Sequence, residues 1–304
     1  MRIVFMGTPS FAAACLEKLS QSEFDIVGVY TKPDVPRKRG MKLTESEVKQ
    51  VALEKGYPIY QPASFRDEAV CDELAALKPD LIAVVAYGKI LPQRVLDIPR
   101  YGCINMHGSI LPQLRGAAPV QWAVLNGLEQ TGVTAMYLSA GMDEGDIIEI
   151  RKTPVLETES SADLMQRLSG VAAELLVDTV RKIADGTATR TPQDSSKATY
   201  APMLTKEMSP IDWSRTARQI VCQIHGLDPW PAATAELCGT RFKIYNAVAS
   251  PEKTGKPWGT PVALTKQGLL VACGDGGVIL TELQVSGGKR MAAVDYFRGH
   301  PISL

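Results

Sequence analysis

The chain has 304 residues, room for two domains, and its 45% hydrophobic fraction suits a globular protein with buried cores. Lys plus Arg and Asp plus Glu balance at 33 each, which excludes a global field for polyanions, so any nucleic-acid contact must rest on local patches. The six cysteines are scattered without a Cys-x-x-Cys pair, so neither a disulfide framework nor a zinc site follows from their spacing, and reduced thiols are the simpler expectation.

From the N-terminus, residues 3–6 read as a short buried strand, 11–19 as a helix with Pro9 near its first turn, and 24–30 as a second strand. This N-terminus is too quickly punctuated for a signal peptide, and no apolar run approaches about 18 residues, so a cytoplasmic protein without a membrane span is expected. A basic stretch follows, with Arg37, Lys38, Arg39 and Lys42 around Gly40; such a run is most simply a solvated face. Helices are predicted at 45–55 and at 64–77, the latter with Ser64 as N-cap. The continuous apolar run 81–87 fits a parallel strand covered on both faces.

Next comes Gly102-Cys-Ile-Asn-Met-His-Gly108. Side chains of a strand alternate faces, so Asn105 and His107 share one face and Met106 points away. A helix at 119–125 closed by Gly127 and strands at 132–138 and 147–155 complete the pattern. Repeated strand–helix alternation predicts a doubly wound, Rossmann-like sheet. Gly7-Thr-Pro-Ser10 lacks the glycines of a dinucleotide fingerprint and Pro9 removes an amide donor, so no NAD is expected, and no metal. A long helix from a capping box at Ser160 and Asp163 runs to about residue 183 and ends at Gly186. Residues 187–208 are rich in Thr, Ser, Pro and Lys and read as a linker. Beyond it, a helix at 214–225 and short strands at 242–248, 261–264, 268–273 and 277–283 predict a small β-barrel of the oligonucleotide-binding (OB) type. The expected division is a catalytic domain at 1–188, a linker at 189–207 and a C-terminal OB-like domain at 208–304. Trp213 and Trp230 are expected to be core or domain-packing residues rather than base-stacking platforms.

An amide donor beside an imidazole, with a carboxylate available from the acidic turn Gly141-Met-Asp143-Glu-Gly-Asp146, can bind a developing oxyanion and manage a proton. That is equipment for attack on a carbonyl carbon. Gly-x-Ser-x-Gly is absent, so direct acyl transfer to an external nucleophile fits better than a covalent intermediate. The plain alternative is that Asn105 and His107 merely satisfy loop amides.

Asn105-x-His107 with Ser109-Ile-Leu-Pro112, Arg115-Gly-Ala-Ala-Pro119 and the 141–146 block resembles the signature of the folate-dependent formyltransferases. Thr31-Lys-Pro-Asp34 with the basic stretch after it, Ile211-Asp-Trp-Ser214, Gly226-Leu-Asp-Pro-Trp-Pro231, Leu283-Gln284 and Gly288-Lys-Arg-Met291 extend the resemblance over essentially the whole chain, into the methionyl-tRNA branch of that family. The resemblance implies formyl transfer from 10-formyltetrahydrofolate to the α-amino group of initiator methionyl-tRNA, for translation initiation. It implies catalytic roles for Asn105, His107 and Asp143, and a folate site at Tyr87, Gly88, Leu91, Ser109, Ile110, Leu111 and Pro112. It also implies tRNA contact through Arg37, Lys38, Arg39 and Lys42, with Arg39 foremost. Arg215, Arg218, Arg241, Lys243, Lys289 and Arg290 are further cations that could track phosphates, and a monomer is expected. The rivals are a small-molecule formyltransferase, a folate-dependent deformylating hydrolase and a non-catalytic RNA-binding protein.

Overall fold

The computed structural model describes residues 1–37 and 42–302, with the main chain alone at positions 36, 37, 42 and 43. These residues form two compact units: 1–116, 131–153 and 165–200 make the first, and 117–130, 154–164 and 201 onward the second. The stretch expected as a linker therefore divides after Tyr200, and two earlier stretches group with the second unit.

The elements up to residue 184 are, in chain order, β1 Arg2–Gly7, α1 Ser10–Ser20, β2 Asp25–Tyr30, β3 Val35–Arg37, β4 Lys42–Thr44, α2 Glu47–Lys55, β5 Ile59–Tyr60, α3 Glu68–Ala76, β6 Leu81–Val85, α4 Gln93–Leu96, β7 Cys103–His107, α5 Pro119–Leu125, β8 Gln130–Tyr137, β9 Ile147–Pro154 and α6 Ser161–Ala184. Seven strands form one sheet in the order β5-β2-β1-β6-β7-β8-β9. The pairs from β5 to β7 are parallel, and β8 lies antiparallel to β7. The expected doubly wound sheet is thus parallel-dominated with a reversed strand beside β7.

Local chemistry explains most boundaries. All five residues of β6 are buried, as a strand covered on both faces requires. In α1, Phe11, Cys15 and Leu19 repeat at a spacing of four and bury one face. Ser46 caps α2 by accepting from Lys49 N at 3.0 Å. The third helix starts later than expected. Asp67 is its N-cap, while Ser64 Oγ accepts from Arg66 N at 3.1 Å and closes a turn before the helix begins. Ser160 and Asp163 exchange the expected capping-box hydrogen bonds at the start of α6. The run 81–87 stops at Val85 because Ala86 turns to φ +45°. The basic stretch is flanked by a short hairpin, β3 pairing antiparallel with β4, which the sequence analysis did not predict.

The second unit continues with α7 Ala217–Gly226, β10 Ala233–Leu237, β11 Thr240–Ser250, β12 Pro261–Leu264, β13 Leu269–Ala272, β14 Gly277–Val285, β15 Met291–Ala292 and α8 Ala293–Gly299. The expected small barrel is an antiparallel six-stranded sheet, ordered β10-β11-β14-β13-β12 with β15 on β14. Strand β10, strand β15 and helix α8 escaped the sequence reading. Ile220, Ile224, Leu227, Phe242, Ile244, Leu280 and Phe297 form the core, and each large aliphatic fully buried there contributes about 1.5–3 kcal/mol. Trp213 packs against this core, whereas Trp230 is 54% exposed and is not a core residue. Among the described residues no helix is long and apolar enough to cross a membrane.

Candidate active site

Strand β7 sits between β6 and the reversed β8, with Asn105 opposite Val84 on one side and Met136 on the other. The carboxyl ends of parallel strands are where open α/β sheets leave a crevice for ligands. Asn105 is half-buried, and among the described residues its carboxamide has no hydrogen-bond partner. His107, two residues on and on the same face, is 5% exposed. Its Nε2 lies 2.9 Å from the Leu114 carbonyl oxygen, and its Nδ1 lies 3.6 Å from Asp143 Oδ2. A carbonyl only accepts, so Nε2 carries a hydrogen in this arrangement.

The loop after β7 is held by Thr134 of β8. Its hydroxyl donates to Ser109 O at 2.6 Å and accepts from Leu111 N at 3.2 Å. Ser109 Oγ donates to Gln113 O at 2.6 Å, so this hydroxyl serves the loop itself. Leu114 adopts φ +58°, and its N–H donates to Thr199 Oγ1 at 2.9 Å. That twist turns the Leu114 carbonyl onto His107. Ser109 and Leu111 are buried, and Ile110 and Pro112 are half-buried at the rim.

Asp143 also has a left-handed backbone, φ +53°, which costs of order 1 kcal/mol but is tolerated best by Asp and Asn. Its Oδ2 accepts from Gly116 N at 2.8 Å. The structure thus brings Asn105, His107, Asp143 and the 109–112 loop together. Tyr87, Gly88 and Leu91 follow β6, the neighbouring strand. Tyr87 is 1% exposed within the apolar core beside Tyr30 and Phe65, and Leu91 packs against that cluster from the rim. Burial pushes the Tyr87 phenol up from its ordinary value, and among the described residues its buried hydroxyl has no partner. Gly88 is exposed with φ +70°.

Lys38 and Arg39 lie outside the described residues, as do the side chains of Arg37 and Lys42. In the second unit, Arg241 and Lys243 line a hollow of about 410 Å³ with Thr234 and Gln284. Arg290 is committed elsewhere: its guanidinium pairs with Asp228 at 3.0 Å and Glu282 at 2.7 Å, so it is a structural cation rather than a free phosphate contact.

The sequence reading assigned no role to Arg115, Thr134, Gln193 or Thr199. Arg115 is 1% exposed; Nη1 pairs with Glu144 Oε1 at 3.3 Å and Nη2 donates to Gln193 Oε1 at 2.9 Å. Its presence in the 115–119 motif was a usable signal. Gln193 and Thr199 carried none, being polar residues in a stretch whose composition reads as a connector.

Residues 1–180 match the formyl transferase family, and residues 203–301 match the formyl transferase C-terminal domain. The chain is 45% identical over 301 residues to the methionyl-tRNA formyltransferase of Pseudoalteromonas translucida, covering 98% of this chain and 94% of that protein. Among solved structures, an N-formyltransferase from Helicobacter canadensis, in complex with folinic acid and dTDP-3-aminofucose, superposes with a TM-score of 0.71 at 18% identity, covering 95% of this chain and 99% of that one. HypX from Aquifex aeolicus in complex with tetrahydrofolic acid gives a TM-score of 0.65 at 19% identity over 98% of this chain and 48% of its own. At these identities the two structures establish the fold alone. The family match over most of the chain, together with a relative 45% identical along nearly its whole length, shows that the chain belongs to the methionyl-tRNA formyltransferase family of formyl transferases.

Proposed function

We propose that the protein transfers the formyl group of 10-formyltetrahydrofolate directly to the α-amino group of methionyl initiator tRNA. The observation that carries the chemistry is the Asn105 carboxamide, unpartnered among the described residues, on the same strand face as His107, whose ring lies between Asp143 and the Leu114 carbonyl. The amine attacks the formyl carbon, a C–N bond forms, and the formyl oxygen gains negative charge. The Asn105 N–H is free to hold that oxygen; a donor in this role is worth about 10²–10³ in kcat. A free α-amino group has a pKa of about 8, so the attacking amine must shed a proton before or during attack. Collapse of the tetrahedral species breaks the C–N bond to folate and returns its electron pair to the folate nitrogen, which gains one proton to match the one the attacking nitrogen loses on acylation. His107 sits with both ring nitrogens facing acceptors, the Leu114 carbonyl and the Asp143 carboxylate, which fix the ring on the same strand face as Asn105.

The folate belongs along the strand end at 84–91 and the loop at 109–112, where main-chain amides and apolar side chains meet at a rim. The family match and the folate compounds in the two structural relatives support a folate donor. The tRNA acceptor end belongs on the basic stretch of Arg37, Lys38, Arg39 and Lys42.

The test is incubation with formyl-labelled folate and either charged initiator tRNA, elongator methionyl-tRNA or a nucleotide-linked amine. Label on the initiator tRNA is the expected result. Label on neither RNA, or on the nucleotide amine instead, overturns the assignment. Arg39→Ala should weaken productive tRNA engagement while sparing formylation of a free amine, and tRNA affinity should fall as salt rises.

A further inference from the structure

We infer that Gln193 is a positioning residue of this active site, holding the main chain on both sides of Glu144 so that the Asp143 carboxylate stays on His107; this rests on the reading of Asp143 given above. The Gln193 carboxamide is fully used. Its Oε1 accepts from Arg115 Nη2 at 2.9 Å and from Arg115 Nε at 3.2 Å. Its Nε2 donates to Asp143 O and to Gly145 O, each at 2.8 Å. The amide orientation follows from the partners, because a guanidinium only donates and a carbonyl only accepts. Reversing the amide would set donor against donor and acceptor against acceptor.

The turn it grips needs a grip. Asp143 has φ +53°, a conformation that the surrounding structure must hold in place. Gly145 is pressed so closely against the preceding strand that a Cβ there would lie 1.7 Å from Tyr137 O. Arg115 secures the residue between them through Glu144 Oε1 at 3.3 Å. Gln193 therefore joins a buried cation, which the reacting loop supplies, to the turn that carries the carboxylate. The alignment of Asp143 Oδ2 with His107 Nδ1 and Gly116 N depends on that turn. No other described side chain hydrogen-bonds to these two carbonyls.

Two substitutions test this. Gln193→Glu keeps the shape and the Arg115 contact but faces the two carbonyls with an oxygen in place of the donor. Gln193→Met keeps the length and removes every polar contact. Both should lower kcat by about 10- to 100-fold, the scale of small misplacements in an active site, with KM for folate and for tRNA within about threefold of the parent. In an Asp143→Asn background, either substitution should lower kcat little further, because the effect is transmitted through that carboxylate. Circular dichroism and the active-site concentration separate lost folding from lost turnover. A kcat loss that multiplies fully with Asp143→Asn, or that merely tracks lost folded protein, overturns the inference. Impaired Asp143→Asn beside fully active Gln193→Glu and Gln193→Met overturns the inference alone. Full activity of Asp143→Asn overturns the reading of the site and the inference with it.

Discussion

The Asp143 carboxylate is tied to Gly116: Oδ2 accepts the Gly116 N–H at 2.8 Å, and the same oxygen stands 3.6 Å from His107 Nδ1. The loop after β7 thus fixes the carboxylate that faces the imidazole on that strand. Asp143→Asn keeps an oxygen for Gly116 but removes the charge. It should lower kcat by about 10²–10⁴-fold, as loss of the equivalent charge beside a catalytic histidine does elsewhere. Thermal unfolding should move by no more than about 2 °C, since the hydrogen bond to Gly116 is kept. A large fall in melting temperature with unchanged kcat would show a purely structural carboxylate.

Asn105→Ala removes a carboxamide that has no hydrogen bond among the described residues, so little structure is lost with it. Formyl transfer should fall by about 10²–10³-fold while tRNA affinity stays near that of the parent. Filter binding and single-turnover transfer measure the two quantities separately. Matching losses in both would remove Asn105 from the oxyanion role.

Thr134→Val is nearly isosteric at a fully buried position, yet it deprives Ser109 O and Leu111 N of their shared partner. Two buried polar groups left unpaired should cost about 1–3 kcal/mol, read as a lower urea midpoint. Since that hydroxyl shapes the 109–112 loop, KM for folate should rise more than KM for tRNA. An unchanged folate KM would place the donor away from this loop.

In the second unit, burial holds the His225 ring below its ordinary value of 6.5, against the opposing pull of the Asn246 hydrogen bond, the Ala247 main chain, Asp228 and Asp163. The folded protein thus favours a neutral ring, while the unfolded chain takes up a proton near 6.5. This contribution to stability is present above that pH and is lost as pH falls through it towards the lower folded value. Urea melts at pH 7.5 and 5.0 should show a loss on acidification that is smaller in His225→Gln. An identical pH dependence in the variant would assign the acid sensitivity to other groups.

Cys238 and Gly239 join β10 to β11 with φ values of +50° and +74°, a two-residue hairpin turn of the type that favours Asn-Gly. Cys238 is exposed, so replacing it disturbs no packing. Cys238→Asn should stabilise the second unit by about 0.5–1 kcal/mol, because Asn occupies the left-handed region more readily. Differential scanning calorimetry should record a higher unfolding temperature, and no rise would mean that the cysteine bears no strain there.

Residues close in the chain made much of this protein legible without coordinates. The alternation at Asn105, Met106 and His107, the apolar run of β6, the capping pair of Ser160 and Asp163 and the 119–125 helix all encode geometry between near neighbours, where spacing alone dictates which groups meet. What the tertiary structure decided lies between residues far apart. The reversal of β8 brings Thr134 onto Ser109, and the stretch with a connector's composition brings Gln193 to Arg115 across 78 positions. Neither contact leaves a periodic trace, because a single polar side chain gains its partner only when the chain closes around it, and burial then makes that partner obligatory.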